Sequence, residues 1–128
     1  MKFRPLFLSA AVAALAFSSP AYAQSFSGTD WEAGLSWCNH GSANLKLADF
    51  NGDGRTDMLC HDTSTGHKWI AYATGSGTFT GTNWEAGLGW CNHPSAQLHV
   101  GDFNGDQRAD MLCHDTITGY KWISFSKP

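Results

Sequence analysis

Basic residues are scarce in this sequence, which has eight Lys and Arg against eleven Asp and Glu in 128 residues. Lys2 and Arg4 lie at the extreme N-terminus, so the rest of the chain has six basic against eleven acidic residues, a net charge of −5. A nucleic-acid-binding domain carries a basic patch or stripe, and no such cluster is present. The composition therefore excludes a nucleic-acid partner and leaves an excess of negative charge to be explained.

Long apolar runs are also lacking. The single sustained run, "LFLSAAVAALAF", has 12 residues, whereas a membrane-spanning helix needs roughly 20. It follows Lys2 and Arg4 and precedes the small-residue motif "AYA", which is the order of a secretory signal peptide. We therefore expect residues 1–23 to be a cleaved signal, the mature protein to be secreted, and the chain to have no membrane span.

Helical periodicity is absent from the rest of the chain, and an internal repeat takes its place. Residues 26–73 align without a gap with residues 79–126, at an offset of 53 residues and about two-thirds identity. Each unit has short apolar runs, such as "NLKLADF" and "DMLCHD", between glycine-rich turns, which is typical of β-strands. Four short strands and one aromatic motif per unit predict an all-β fold of β-propeller blades, with repeat 1 at 24–78 and repeat 2 at 79–128. A β-sandwich also fits this pattern.

Most of the acidic residues are concentrated in two loops, "DFNGDGRTD" and "DFNGDQRAD". Calcium prefers six to eight oxygen ligands from carboxylates, amides and backbone carbonyls. The first loop offers such oxygens at alternate positions, the fourth of them a backbone carbonyl: Asp49, Asn51, Asp53, Arg55 and Asp57. The equivalents in the second loop are Asp102, Asn104, Asp106, Arg108 and Asp110. The sequence therefore predicts a Ca²⁺ site in each repeat.

Two features qualify this prediction. An EF-hand is excluded, because Cys60 and Cys113 stand where its bidentate glutamate should be and the flanking segments are strand-like. At the sixth loop position Gly54 suits a left-handed backbone, whereas Gln107 does not. We therefore expect weaker calcium binding in the second loop. An ion-free, Asx-rich turn is the alternative for both loops.

The two loops also carry a family resemblance. "ADFNGDGRTDML" and "GDFNGDQRADML" resemble the FG-GAP/VCBS repeat, the calcium-loop blade of integrin α-chain propellers, and the wider layout is similar to blades of calcium-bearing fungal lectin propellers. The resemblance covers nearly the whole chain after the signal. It implies a propeller fold in which the carboxylate and amide residues of both loops bind calcium. It says less about activity, because such blades occur in adhesins, lectins and appendages of hydrolases.

Four cysteines, two per repeat, are explained most simply in an exported chain as disulfides. Three pairings are possible, and the repetition favours Cys38–Cys60 with Cys91–Cys113, because each repeat then carries the same bridge. A zinc site in each repeat is the alternative, since each pair of cysteines is accompanied by two histidines: His40 and His61 in one, His93 and His114 in the other. The close spacing of these ligands argues against zinc, because adjacent residues of a strand point to opposite faces.

Catalytic patterns are missing. The carboxylates outside the two loops, Asp30 apart, come in equivalent copies, and the serines lie in no nucleophile-elbow motif. We therefore expect a non-enzymatic protein.

Six tryptophans suggest that aromatic side chains also serve binding. Trp69 and Trp122 lie in apolar strand runs and are expected in the core. Two other tryptophans precede the motif "CNH", where a ring could stack on a sugar while polar side chains bind its hydroxyls. The predicted ligand-binding residues are Trp37, Asn39, His40, Trp90, Asn92 and His93. A purely structural aromatic cluster is the alternative.

The leading prediction is a secreted, calcium-binding module that binds carbohydrate or acts in adhesion. A protein–protein adhesion module without sugar affinity and a small secreted hydrolase are the alternatives. A propeller needs about four to eight blades, and the segment "FSGTDWEAGLSWC" matches a fourth strand with no blade before it. We therefore expect residues 26–38 of one chain to complete the second blade of another in a homo-oligomer, preferably a trimer. A monomer is the alternative.

Overall fold

A computed structural model gives the structure of the protein and describes residues 26, 28–33, 36–87 and 89–128. The expected signal peptide, residues 1–23, lies outside the described residues. The chain divides into two compact units, Met1–Asp30 and Trp31–Pro128, and all of the described strands belong to the second. The described part of the chain contains no helix, and so none there is long and apolar enough to cross a membrane.

Two antiparallel sheets make up the described part of the second unit. The first sheet contains, in spatial and sequence order, β1 (Ala43–Ala48), β2 (Asp57–Asp62), β3 (Lys68–Ala71) and β4 (Trp84–Ala86). The second contains β5 (Ala96–Gly101), β6 (Asp110–Asp115) and β7 (Lys121–Ser124). The prediction of an all-β fold is confirmed, and the two sheets are consistent with an open pair of propeller blades.

The strand register repeats from one sheet to the other. In the first sheet Cys60 of β2 lies opposite Leu45 of β1 and Trp69 of β3. The equivalent residues of the second sheet are paired in the same way: Cys113 with Leu98 and Trp122. β4 lies within the glycine-broken run "FTGTNWEAGLGWC" and pairs with β3. The sequence repeat is therefore also a structural repeat.

The hydrophobic core lies between the two sheets. Its buried members come from both repeats: Phe50, Leu59, Ile70, Cys91, Leu98, Ala109 and Cys113. Burying a side chain the size of leucine contributes about 1.5–3 kcal/mol, so this shared core holds the sheets together. The two sheets contact the core with non-equivalent faces. The first sheet contributes Ile70 of β3 and its register partner Leu59, whereas the second contributes Leu98 of β5 and its register partner Cys113.

The prediction that Trp69 and Trp122 belong to the core is wrong. Trp69 is half-buried and Trp122 is exposed, whereas the next residue in β3, Ile70, is buried in the core. Successive side chains of a strand point to opposite faces. Because Ile70 takes the core-facing position, Trp69 lies on the other face of the first sheet. Trp122 is in register with Cys113 and Leu98 and so shares the core-facing side of the second sheet, but it is exposed on the edge strand β7.

Each repeat contains one disulfide. The bridges are Cys38–Cys60 and Cys91–Cys113, and the two partners of each are 22 positions apart in the sequence. Each one links the segment before the first strand of a sheet to the second strand of the same sheet. This is the pairing that the repetition of the sequence favours.

Candidate functional site

The two acidic loops connect β1 to β2 and β5 to β6, and their first aspartates organise them. The carboxylate of Asp49 accepts hydrogen bonds from the backbone amides of Gly52, Asp53 and Gly54, at 2.7, 3.2 and 2.7 Å. In the second loop Asp102 accepts three amides at the same relative positions. The repeated motif therefore folds into the same compact turn twice.

The sixth loop position has a left-handed backbone in both repeats. Gly54 has a φ of 82° and Gln107 a φ of 70°. A side chain placed at Gly54 would meet no atom within 4 Å, so the difference between the loops is conformational rather than steric. A non-glycine residue in this region costs about 1–3 kcal/mol. The second loop thus keeps the conformation of the first and carries the strain that glycine avoids.

An arginine neutralises the fifth-position aspartate of each loop. The guanidinium Nη2 lies 2.5 Å from a carboxylate oxygen between Arg55 and Asp53, and 2.8 Å between Arg108 and Asp106. The backbone amide of Arg55 lowers the pKa of Asp53, and that of Arg108 lowers the pKa of Asp106. Each loop therefore contains an internal cation beside the carboxylate at its fifth position.

The last aspartate of each loop points into the protein. Asp57 is buried and accepts hydrogen bonds from the amides of Phe50 and Ala73, at 2.9 and 2.8 Å. Asp110 accepts equivalent bonds from Phe103 and Ser126. Ala73 lies just beyond β3, so the carboxylate of Asp57 joins the acidic loop to the end of that strand.

The chemistry of these loops suits calcium, but their side chains are engaged with one another. Among the described residues, no three side chains of His, Cys, Asp or Glu lie close enough together to hold a metal ion. The carboxylate of Asp53 is taken by Arg55, and that of Asp57 by backbone amides. A carboxylate oxygen has two acceptor positions, so acceptor capacity remains. Coordination would require Asp53 to turn away from its arginine.

Trp37 and Trp90 lie in different surroundings. The Trp37 indole donates a hydrogen bond to the hydroxyl of Thr82 at 3.1 Å, and the ring lines a cavity of about 210 Å³ with Leu45 and Met58. The ring of Trp90 packs against the core, 5.2 Å from the ammonium of Lys68. Of the two asparagines, Asn39 is exposed and Asn92 donates to the carbonyl of Thr65 at 3.4 Å.

The histidines of the "CNH" motifs contact Trp69 and Trp122 and not the neighbouring Trp37 and Trp90. His40 lies edge-on to Trp69 with ring centres 5.9 Å apart, and His67 stacks on the same ring at 4.2 Å. In the second repeat the three rings are His93, Tyr120 and Trp122, with both contacts to the tryptophan at 5.9 Å. We call these two groups the aromatic clusters. Sequence analysis missed Trp69, His67, Tyr120 and Trp122, although the alternation of β3 could have placed Trp69 on the face opposite Ile70.

A carboxylate borders each aromatic cluster. The Nε2 atom of His40 lies 3.5 Å from Asp62, and that of His93 lies 3.7 Å from Asp115. Hydrogen bonds from Ser64 and Ser42 hold the pKa of Asp62 well below its usual range. An aspartate held ionised in this way is a poor proton donor, because its proton is lost far below neutral pH. Each carboxylate is suited to orienting its histidine and accepting hydrogen bonds.

His61 is the buried imidazole of the first repeat. Burial, together with the nearby charges of Lys68 and Lys46, lowers its pKa to about 4. It is therefore neutral at physiological pH, which is the form that a buried imidazole without a charged partner adopts. Its Nε2 atom has no hydrogen-bond partner among the described residues.

Comparison with known proteins gives one match. The sequence model of the FG-GAP-like repeat matches residues 49–113, which is just over half of the chain and includes both acidic loops. Curated proteins and solved structures give no match.

Proposed function

Because the chain belongs to the FG-GAP-like repeat family, we propose that it is a secreted binding module that recognises carbohydrate through its two aromatic clusters. FG-GAP-like repeats are non-enzymatic propeller modules, which supports the expectation that this chain is not an enzyme. The observation that carries the proposal is the repetition of the clusters, in each of which a histidine lies edge-on to a tryptophan with ring centres 5.9 Å apart.

The chemistry of the clusters fits a sugar. Aromatic rings offer an apolar surface to the C–H face of a pyranose, and polar groups at the rim bind its hydroxyls. In the second cluster Tyr120 and Trp122 are both exposed, with His93 and Asp115 beside them. His40 and His93, which the sequence predicts as ligand-binding residues, remain part of the proposed sites. Trp69 and Trp122 replace Trp37 and Trp90 as the rings on which the sugar would stack. Two sites in one chain increase avidity for a surface that presents many sugars.

Binding to a glycan array tests the proposal. We expect the purified protein to bind a defined set of glycans, and Trp122→Ala to weaken this binding by about tenfold, or 1.4 kcal/mol, because the ring that supports the site is lost. Trp84→Ala is the matched control, since Trp84 is 37% exposed and Trp122 43% exposed but only Trp122 belongs to a cluster. Equal binding by wild type and Trp122→Ala would contradict the proposal, and so would an array without signal.

A protein ligand is the second candidate. FG-GAP modules mediate protein interactions, and both sheets leave large apolar side chains exposed. A silent glycan array beside reproducible binding to one extracellular protein would favour this function. Extracellular location itself is supported by the two disulfides, which persist in oxidising compartments.

Calcium remains part of the proposal. The three carboxylates of each loop repel one another, and binding to the folded state alone would stabilise it by roughly 2.7 kcal/mol at one hundred times the dissociation constant. A chelator should therefore lower the melting temperature. Asp53→Ala should remove more of the calcium-dependent shift than Asp106→Ala, because Gln107 strains the second loop. An identical melting curve with and without chelator would rule calcium out.

A further inference from the structure

The contact between the two sheets buries one face of each sheet. Because the two sheets are repeats of one another, the residues equivalent to each buried face also occur in the other sheet, where they lie on the outside of the molecule. In the first sheet Ile70 is 7% exposed, whereas its equivalent Ile123 in the second sheet is 47% exposed. Phe50 is buried in the core, whereas its equivalent Phe103 is exposed. The second sheet thus carries, uncovered, the face with which the first sheet contacts it.

The reciprocal face is uncovered on the first sheet. Leu98 of β5 is 3% exposed because it packs between the sheets, whereas its equivalent Leu45 of β1 is 49% exposed. Leu47, the equivalent of the half-buried Val100, is also exposed. The single chain therefore presents both halves of its own inter-sheet contact, one on each outer side.

A lysine makes this correspondence specific. Lys68 is fully buried, and its ammonium donates hydrogen bonds to the carbonyls of Gly66 and Trp90, at 2.7 and 2.8 Å. Its equivalent Lys121 is exposed and keeps the first of these bonds, to Gly119. The residue equivalent to Trp90 is Trp37, on the other side of the molecule. Lys121 of one copy and Trp37 of another could therefore form the hydrogen bond that Lys68 and Trp90 form within the chain.

We propose that copies of this chain associate head to tail, with the outer face of the second sheet packed on the outer face of the first sheet of the next copy. The occupant of each face is a second copy, because the contact within the chain shows what covers the equivalent surfaces. The backbone edge of β7 then pairs with the exposed residues 31–33 of that copy, as β3 pairs with β4. The expected register is Lys121 opposite Ala33, Trp122 opposite Glu32, and Ile123 opposite Trp31.

Such a contact joins two different surfaces, so it forms a ring when the rotation closes. A six-bladed ring would contain three chains, which agrees with the oligomer expected from the sequence. Trp69 lies on the same face of the first sheet as Leu45, so association would bring the first aromatic cluster next to the contact. The mass of the protein in solution nevertheless tests association without reference to sugar binding.

Light scattering of paired variants tests the proposal. The protein expressed from the full-length sequence should have a mass that is a defined multiple of the chain. Leu45→Asp and Ile123→Asp each damage one face and should be monomers. Mixed in equal amounts they should form a one-to-one dimer, because each supplies the face that the other lacks. Ile117→Asp is the control, since Ile117 is exposed in a turn outside both faces.

Circular dichroism melting of each variant separates a lost contact from a lost fold, and the serine variants at the same two positions replace any aspartate variant that fails to fold. A monomeric wild-type protein would overturn the proposal, whatever the variants do. An oligomer of unchanged mass in both variants would also overturn it. So would variants that become monomers but form no dimer when mixed, since that result indicates a contact between identical surfaces.

Discussion

Replacing Asp57 with alanine is expected to lower the free energy of unfolding by about 2–6 kcal/mol. The buried carboxylate is the hydrogen-bond partner of two backbone amides, those of Phe50 and Ala73. Its removal leaves both amides unsatisfied in the interior, where each costs about 1–3 kcal/mol. For a domain of this size the melting temperature should fall by about 10–20 °C.

Three further variants separate this effect from metal binding. Asp57→Asn should be nearly as damaging, because the amide nitrogen of asparagine would face a backbone donor. Asp110→Ala should cost less, since its bonds to Phe103 and Ser126 are only partly buried. Asp53→Ala should cost little once calcium has been chelated, because Asp53 is exposed. If chelation abolished the effect of Asp57→Ala, Asp57 would act through calcium and not through the two amides.

Removal of the disulfides is the second large effect. Each bridge closes a loop of 22 residues, for which restriction of the unfolded chain contributes about 3 kcal/mol. Replacing both cysteines of a pair with alanine should therefore remove a large part of a total stability of about 5–15 kcal/mol. Because Cys91 lies in the core between the sheets and Cys38 is only half-buried, loss of Cys91–Cys113 should cost more than loss of Cys38–Cys60.

Denaturant unfolding of the two double variants measures this difference, and intact mass before and after reduction establishes the number of bridges in the wild type. Equal losses of stability in both variants would show that loop closure alone accounts for the effect. A wild-type mass that reduction leaves unchanged would contradict the disulfides themselves.

The strands were predictable because their signals are local. The run "DMLCHD" is bounded by turn residues, and β2 is Asp57–Asp62. The repeat then carries the same inference to β6, Asp110–Asp115. Predicting the disulfide pairing needed only the repetition, since one bridge per repeat is the simplest arrangement that treats both copies alike.

The side-chain partners were less predictable, because they depend on which face of each strand is covered. The sequence places Trp69 and Ile70 in one apolar run, and only the position of the second sheet decides that Ile70 enters the core. Similarly, the spacing of the acidic loop identifies Asp57 as an oxygen ligand, but not that its oxygens lie against the amides of Phe50 and Ala73. Contacts between distant segments determine both outcomes.

The central claim is that the chain carries one binding unit twice. Calorimetric titration with the best glycan from the array tests it most directly. We expect two sites per chain in the wild type and one in each of the variants Trp69→Ala and Trp122→Ala, with the fold retained. A single site per chain in the wild type, or two sites retained in both variants, would contradict the account.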